Sequence, residues 1–270
     1  MVKIVPPYRK VMSILNVTPD SFFADSRAEG EAVVRSRVER MVAEGADIID
    51  IGGYSTRPGA ADVPVEEEVR RVLSGVRCAR EVAPQLTLSI DTFRAEVAEA
   101  VLSRYENVII NDVTAAEGDE RMAEVVAHYD VPLVVMHSRG TPQTMQSLTN
   151  YDDVVEDVRE YLARRADHLT SKGVGEIILD PGVGFAKNDE QNFALIAGLE
   201  RIASLGYPLL AGISRKSFMC RTLSIAPADA LEATTALHWA CLEGGAAILR
   251  VHDTLAARQT ITLYEKLYRL

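Results

Sequence analysis

The stretch DIIDIGGYSTRPGA, residues 47–60, starts as an apolar segment and ends as a polar, turning one that carries a cation. Three isoleucines and Asp50 fill its first half, and two glycines then lead into the run Ser-Thr-Arg-Pro-Gly. Short β-branched runs that end in glycine and proline are typical of buried strands. We therefore expect a buried strand whose carboxyl end opens onto a polar surface, with Asp50 as a supporting partner there if it faces inward.

Seven further runs of this kind are spread along the chain, with amphipathic helical patterns such as 151–172 between them. They are VMSILNVT (11–18), LTLSIDT (86–92), VIIND (108–112), VPLVVMH (131–137), EIILDPG (176–182), PLLAGIS (208–214) and AAILRVHD (246–253). Eight alternating strand and helix units predict an α/β fold, a single (β/α)8 TIM barrel that takes up residues 1–270 as one domain. An open, doubly wound sheet is the alternative, but no G-x-G-x-x-G opens the first helix and no linker marks a second domain.

Composition excludes several classes of partner. The formal charge of −10 argues against nucleic acid or an anionic membrane surface, so an anionic ligand has to be held by a local group of Arg and Lys. No run approaches the roughly 18 apolar residues of a membrane span. The start of the chain lacks a secretory pattern, and the three cysteines lack metal spacing, so we expect a cytoplasmic protein with reduced thiols.

Polar side chains collect at the carboxyl ends of the predicted strands. They are Asn16, Thr56, Arg57, Asp91, Asn111, Asp112, His137, Asp180, Lys216, Arg250 and His252. In a barrel these ends converge on one mouth, where active sites are built. Side chains alternate along a strand, so Arg250 and His252 are expected to face inward together, where a buried arginine needs an anion or a paired carboxylate.

Four of these residues, Asp91, Asn111, Asp112 and His137, are open to two interpretations. Asp91 could cap the helix that follows it or bind a ligand. Asn111 and Asp112 have opposite parity, so only one of them is expected to face a ligand. His137 could be a site residue or a satisfied histidine of the barrel wall.

The polar set divides into two chemical groups. Asp91, Asn111 and Asp180 offer acceptors that suit a flat heterocycle with N–H donors. Arg57, Lys216, Arg250 and His252, with Thr56 and Ser217 nearby, suit phosphate. Side by side they predict a nitrogen heterocycle bearing a phosphate or diphosphate, with displacement of pyrophosphate helped by charge neutralisation and a bridging metal ion.

The same motifs resemble a known family in their order along the chain. SILNVTPDSF (13–22), GADIIDIGGYSTRPGA (45–60), SIDT (89–92), IIND (109–112), GTPQTMQ (140–146), LDPGVGF (179–185), GISRKSF (212–218) and RVHD (250–253) resemble those of dihydropteroate synthases. The resemblance implies a transferase of folate biosynthesis, a sulfonamide target, that condenses 6-hydroxymethyl-7,8-dihydropterin diphosphate with p-aminobenzoate by dissociative loss of diphosphate. It also implies Mg²⁺ as cofactor and a homodimer.

The resemblance assigns roles by matching motif. The pterin contacts it implies are Asp91, Asn111, Asp180, Lys216, Met136, Phe185, Gly212, Ile14 and Val113. The diphosphate contacts are Asn16, Arg57, Arg250 and His252, with Asn16 also the Mg²⁺ ligand. The p-aminobenzoate contacts are Thr56, Pro58, Phe22, Phe185 and Ser217. Asp91, Asp180, Lys216, Arg57 and Asn16 are the implied catalytic residues.

Two other functions compete with this one. Another pterin-binding barrel, such as the methyltetrahydrofolate module of corrinoid methyltransferases, has no reason to carry the cations Arg57, Lys216, Arg250 and His252. A silent pterin-binding relative is expected to have lost Lys216, Arg57 or Asn16, all of which are present. Tyr54, which stands where the commoner pattern has Glu, has no explanation from the sequence.

Overall fold

The computed structural model of the chain describes residues 9–18, 27–54, 63–141 and 143–270. For residues 27–29 it describes the helical backbone alone. Eight parallel strands form one sheet in the order β6-β5-β4-β3-β2-β1-β8-β7. The strands are β1 Lys10–Asn16, β2 Ile48–Gly52, β3 Thr87–Asp91, β4 Val108–Asp112, β5 Leu133–Met136, β6 Ile177–Asp180, β7 Leu210–Ala211 and β8 Ile248–Val251.

Helices follow the strands and cover the outside of the sheet. They are α1 Arg27–Ala43, α2 Val65–Val82, α3 Ala95–Leu102, α4 Met122–Tyr129, α5 Val154–Ser171, α6 Asp189–Ala197, α7 Leu199–Ala203, α8 Ser217–Leu223, α9 Leu231–Glu243 and α10 Thr254–Tyr268. Within the described ranges, none of these helices combines the length and the apolar character that a membrane crossing needs.

The two edges of the sheet meet between β6 and β7, so the expected (β/α)8 TIM barrel is confirmed. A single bridge joins Leu179 to Leu209, and the amide of Leu179 donates to the carbonyl of Pro208 at 2.9 Å. β7 spans two residues, much less than the run 208–214, because Pro208 has no amide hydrogen and the chain turns away after Gly212. The ladder is weakest at this seam.

Helix α5 shows how sequence pattern becomes barrel packing. Its expected apolar face is buried at Val154, Val155, Val158 and Leu162. The helix begins later than residue 151 because Asp153 is its N-cap and accepts hydrogen bonds from the amides of Val155 and Glu156.

The inside of the barrel is layered. Seven buried apolar side chains form a cluster separate from the core between sheet and helices; we call it the floor layer. It consists of Met12, Ile48, Ile109, Val134, Ile178, Leu210 and Ile248. A second set lies two residues further along these strands, on the same face of the sheet. We call it the mouth layer. It consists of Ile14, Asp50, Asn111, Met136, Asp180, Gly212 and Arg250, together with Asp91 from β3.

Candidate active site

Strand register places four residues in one row, three of them predicted site residues. Asn16 pairs with Gly52, Gly52 with Asp91, and Asp91 with Asn111, across β1 to β4. Gly52 has no side chain to separate its neighbours: a Cβ there would lie 3.7 Å from Asn16 Oδ1 and 3.6 Å from Asp91 Oδ2. The row therefore brings the amide of Asn16 next to the carboxylate of Asp91.

Arg250 lies at the centre of the mouth layer and is paired with two carboxylates. Its Nε donates to Asp50 Oδ2 at 2.6 Å, and its Nη2 donates to Asp91 Oδ2 at 2.6 Å. Burial by itself lowers the pKa of Arg250, but Asp50 and Asp91 overcome this and the pKa is raised. The inward orientation predicted for Arg250 is confirmed, and its partner in this structure is a pair of carboxylates.

Asp50 faces inward, as expected, and it connects two site residues. It is fully buried, and besides Arg250 it accepts from Asn111 Nδ2 at 3.2 Å. An aspartate surrounded by isoleucines has to be paired when it is buried. Asp50 therefore holds both Arg250 and Asn111 in orientation.

The parity argument separates Asn111 from Asp112. Asp112 points outward, where its Oδ1 accepts from the amide and hydroxyl of Thr114, both at 2.7 Å, and its Oδ2 accepts from the amide of Ala116 at 2.9 Å. Asp112 orders the turn after β4, while Asn111 faces the interior.

Asp91 does not cap a helix. The helix after β3 begins without a side-chain cap at Arg94, and the amide of Ala95 donates to Asp119 instead. Burial raises the pKa of Asp91, and the Arg250 guanidinium opposes that shift. The interpretation of Asp91 as a helix cap is therefore wrong, and in this structure its carboxylate is paired with Arg250.

Asp180 has one oxygen engaged and one directed at the mouth. Its Oδ1 accepts from the amide of Gly182 at 2.8 Å, and its Oδ2 lies 3.8 Å from the point where a Cβ on Gly212 would be. Burial raises the pKa of Asp180, and Lys216 is the strongest opposing charge. Gly212 leaves open the space in front of this carboxylate.

Lys216 lies opposite Asp180 on the loop after β7. Its Nζ donates to the carbonyl of Val183 and is 4.6 Å from the centre of the Phe185 ring, a cation–π contact. Burial lowers the pKa of Lys216 to about 8, with Asp180 opposing the shift. Phe185, Asp180 and Lys216 therefore come together, as the motifs predicted.

His137 is a satisfied histidine of the barrel wall. It is buried, and its Nδ1 is 3.0 Å from Lys187 Nζ. Sequence reasoning missed Lys187, which is 1% exposed. The pattern GVGFAKND looks like an ordinary polar loop, so nothing in it distinguishes this lysine from a surface one.

A cavity of about 450 Å³ opens beside the mouth layer. Val113, Met136 and Phe185, three of the predicted pterin contacts, form one side of it. The far side is lined by residues of the loops after β2 to β5 and of α5 that the motifs did not single out, including Tyr54, Phe93, Glu117 and Tyr161. The cavity thus reaches the mouth layer at Met136.

Tyr54 now has a structural role. Its ring meets Phe93 edge to face at 5.3 Å, and the Arg94 guanidinium lies 5.2 Å from each ring. Arg94 also pairs with the buried Glu68 and donates to the carbonyl of Val63. This cluster joins the chain on both sides of residues 55–62.

Other predicted residues lie at the rim. His252 is exposed at the rim and not buried beside Arg250 as expected, because β8 ends at Val251; its Nδ1 lies 3.2 Å from Ser214 Oγ. Ser217 is the exposed first residue of α8. Ile14 is half-buried on β1, two residues before Asn16. The predictions for Phe22, Thr56, Arg57 and Pro58 lie outside the described residues.

Three comparisons with known proteins point in one direction. Residues 12–252 match a family described as pterin binding enzyme. A dihydropteroate synthase from Synechocystis sp. is 40% identical over 262 residues, which covers 96% of this chain and 90% of the relative.

Solved structures extend the likeness to the fold. The dihydropteroate synthase of Clostridium difficile, crystallised in the presence of pteroic acid, superposes with a TM-score of 0.90 at 36% identity, covering 97% of this chain and 98% of that one. The dihydropteroate synthase of Thermus thermophilus in complex with 4-aminobenzoate gives a TM-score of 0.85 at 38% identity, with 97% and 95% covered.

Proposed function

The chain belongs to the pterin-binding enzyme family, and we infer that it is a transferase that joins 6-hydroxymethyl-7,8-dihydropterin diphosphate to p-aminobenzoate. The products are 7,8-dihydropteroate and pyrophosphate, a step of folate biosynthesis. The observation that carries this inference is an arrangement of acceptors beside cations at the mouth of the barrel. Asn111 on β4 and Asp180 on β6 are the acceptors, and Arg250 on β8 and Lys216 after β7 are the cations.

The pterin is proposed to bind against the acceptor side of the mouth layer. Asp180 Oδ2 and the Asn111 amide face the interior, and Met136, Val113 and Phe185 supply the apolar surface that a flat ring system needs. A carboxylate can accept two parallel hydrogen bonds from an amino-pyrimidinone edge. Asp180 is our choice for that contact because Oδ1 alone is used by the described part of the protein.

The diphosphate is proposed to bind on the cation side. Arg250 uses one N–H of Nε for Asp50 and one of Nη2 for Asp91. Among the described residues, three of its five N–H donors, two on Nη1 and one on Nη2, are therefore left for a ligand. Lys216 follows β7 and His252 follows β8, at the same rim. Arg57 completes this set as a prediction from its motif.

Mg²⁺ fits the donor chemistry at this rim. The ion prefers oxygen ligands, keeps several waters and typically takes one or two protein ligands together with substrate phosphates. Asn16 offers an amide oxygen next to Asp91, whereas the described residues contain no group of three His, Cys, Asp or Glu that could hold an ion unaided. We therefore assign Asn16 as the protein ligand of an ion that would neutralise charge on the diphosphate.

The reaction is proposed to be dissociative. The bond between the pterin methylene carbon and the diphosphate oxygen breaks, and its electron pair leaves with pyrophosphate. Asp180 then faces a pterin that has become cationic, so its stabilisation grows toward the transition state. The nitrogen of p-aminobenzoate bonds to the methylene carbon and releases a proton to solvent, so no strong base is required.

The p-aminobenzoate is proposed to bind between Phe185 and the start of α8. Phe185 is half-buried with Lys216 over its ring, and Ser217 presents its hydroxyl and amide at the rim, where a carboxylate is favoured. Phe22, Thr56 and Pro58 are the remaining contacts that the motifs predict.

Turnover with defined substrates tests this function. Purified protein is expected to release pyrophosphate only when pterin diphosphate and Mg²⁺ are supplied, and to form dihydropteroate when p-aminobenzoate is added as well, with a sulfonamide competing against p-aminobenzoate. Chromatography of the products and a pyrophosphate assay measure this. Asp180→Asn is the matched variant and is expected to lose about 100-fold in kcat/KM, since a hydrogen bond to a charged group contributes about 1.5–3 kcal/mol. Absence of condensation product from the wild-type protein would contradict the proposal.

The setting of the enzyme is part of the same proposal. Cys78, Cys220 and Cys241 are buried free thiols, which suits a reducing compartment, the cytoplasm. The C-terminal end of the chain, on and just after α10, exposes Leu263, Leu267 and Leu270, which suits burial against a second copy. Light scattering after gel filtration would measure the proposed homodimer.

A further inference from the structure

Lys187 is a deeply buried lysine near the site, and no role has been assigned to it. Burial lowers the pKa of Lys187 well below the ordinary value of a lysine. The side chain is 1% exposed, and its Nζ lies 3.0 Å from each of three partners: the carbonyls of Gly182 and Phe185, and His137 Nδ1. Within the described residues no carboxylate lies in salt-bridge distance of it. Burying a lysine without a countercharge is costly, so the site has to compensate through these three hydrogen bonds.

The turn that Lys187 holds is narrow and conformationally demanding. Gly182 has a φ of 67°, and a Cβ on it would lie 1.9 Å from the carbonyl oxygen of His137. Gly184 has a φ of 86°, and a Cβ on it would lie 2.8 Å from Lys216 Cδ. Residues 182–185 are thus pressed between the end of β5 on one side and Lys216 on the other.

Two lysines hold this turn from opposite sides. Lys187 donates hydrogen bonds to the carbonyls of Gly182 and Phe185. Lys216 donates to the carbonyl of Val183, which lies between Gly182 and Phe185 in the chain, and its ammonium lies over the Phe185 ring. The position of Lys216 therefore depends on where the turn places the Val183 carbonyl and the Phe185 ring. Asn192 adds support by accepting from the amide of Gly184 at 2.5 Å.

We propose that Lys187 is a positioning residue for the reaction. Its hydrogen bonds hold the turn 182–185 on the side opposite Lys216, and this fixes the positions of Phe185 and Lys216 at the p-aminobenzoate end of the site. This rests on the proposed function. Lys187 touches no substrate and acts through its neighbours. Asp91 and Asn111 stand on β3 and β4, outside the turn, so their part in pterin binding does not depend on Lys187. Asp180, Phe185 and Lys216 are also pterin contacts and do adjoin the turn, so pterin binding is expected to be affected less than p-aminobenzoate binding.

His137 serves this arrangement as a neutral partner. Burial lowers the pKa of His137 to about 2, and Lys187 adds to that shift, so the imidazole stays uncharged near neutral pH. Its ring packs against that of Tyr161, edge to face, at 5.0 Å. Asn at position 137 can present an amide oxygen close to where Nδ1 is, whereas Leu cannot.

The first experiment compares Lys187→Met with the wild-type enzyme. Met fills similar volume without the three hydrogen bonds. We expect kcat to fall and the KM for p-aminobenzoate to rise, each about tenfold, because small misplacements of contact groups cost one to two orders of magnitude. The Kd of 6-hydroxymethylpterin from calorimetry should rise by a clearly smaller factor than the KM for p-aminobenzoate, since Asp91 and Asn111 are unaffected while Asp180, Phe185 and Lys216 adjoin the turn. Lys172→Met, at an exposed lysine after α5, is the matched control and should match the wild type.

Rescue by a conservative change separates positioning from general destabilisation. His137→Asn should retain kinetic constants within about threefold of the wild type, while His137→Leu should shift them in the same direction as Lys187→Met. Lys187→Gln, which can still donate two hydrogen bonds, should lie between Lys187→Met and the wild type and provides a second variant if Lys187→Met does not fold. Amide hydrogen exchange at Gly184 and Phe185, a readout independent of turnover, should speed up in Lys187→Met.

Three results would overturn the proposal. One is a lower melting temperature of Lys187→Met with unchanged kinetic constants and unchanged exchange at the turn. Another is loss of pterin affinity in proportion to the loss of turnover. The third is a His137→Asn variant as impaired as His137→Leu. A wild-type enzyme without condensation activity would instead refute the proposed function, and the exchange measurement would still decide whether Lys187 holds the turn.

Discussion

The floor layer and the mouth layer lie on the same strands, two residues apart, and their chemistry is opposite. The floor layer holds seven apolar side chains, whereas the mouth layer holds three carboxylates, an amide and a guanidinium among its eight residues. A step of two residues is about 7 Å along a strand. Over that distance the interior changes from a packed core to a site whose polar groups require partners.

This difference shows how stability and function divide within one barrel. The floor needs only volume and shape, since apolar packing is non-directional. The mouth layer depends on pairing: Arg250 is bound to Asp50 and Asp91, and Asp50 also holds Asn111. A change in the floor should therefore alter stability alone, and a change in the mouth should alter both.

Arg250→Met should produce the largest effect and would test the mouth most severely. It leaves Asp50 buried without its cation, which costs about 3 kcal/mol of unfolding free energy and should also weaken pyrophosphate binding more than binding of free pterin. Urea unfolding and calorimetry measure the two effects. The double change Asp50→Asn with Arg250→Met should recover part of the lost stability. Equal losses of pyrophosphate and pterin affinity would contradict the anion role of Arg250.

The pH dependence of kcat/KM should show whether the charge of Lys216 contributes to the reaction. The pKa of Lys216 is lowered to about 8 by burial, so the ammonium is present below this pH and is lost as pH rises through it. If the charge acts on the diphosphate, kcat/KM should fall about tenfold per pH unit above about 8. The Lys216→Met variant should have a low kcat/KM at every pH and should not show this decrease above about pH 8. A wild-type profile that stays flat well above that pH would argue against a role for the charge.

Ile178→Val in the floor layer should have the smallest effect. Removing one buried methylene costs about 1 kcal/mol of unfolding free energy and should leave kcat and both KM values unchanged within error. Denaturant unfolding and steady-state kinetics check this. A kinetic change from this variant would mean that the two layers are not separable.

Much of the site could be predicted because strand ends and side-chain alternation are visible in the sequence. The eight strands, the inward orientation of Arg250 and the opposite orientations of Asn111 and Asp112 are confirmed. Lys187 could not be found this way. Its burial depends on a turn folding back against β5, and two of its partners are main-chain carbonyls that carry no mark in the sequence.

Pattern and period determined by themselves that this chain forms a (β/α)8 barrel and which ends of its strands carry the chemistry, because alternation and strand polarity are local properties. Only the tertiary structure decided which charges neutralise which. Arg250 lies 200 positions from Asp50 and 159 from Asp91 in the chain, so their pairing exists only when β8 packs beside β1 in the barrel. Packing between neighbouring units buries Lys187 against the end of β5 and makes Tyr54 part of an aromatic cluster with Phe93. The barrel as a whole makes a site of residues scattered from β1 to β8.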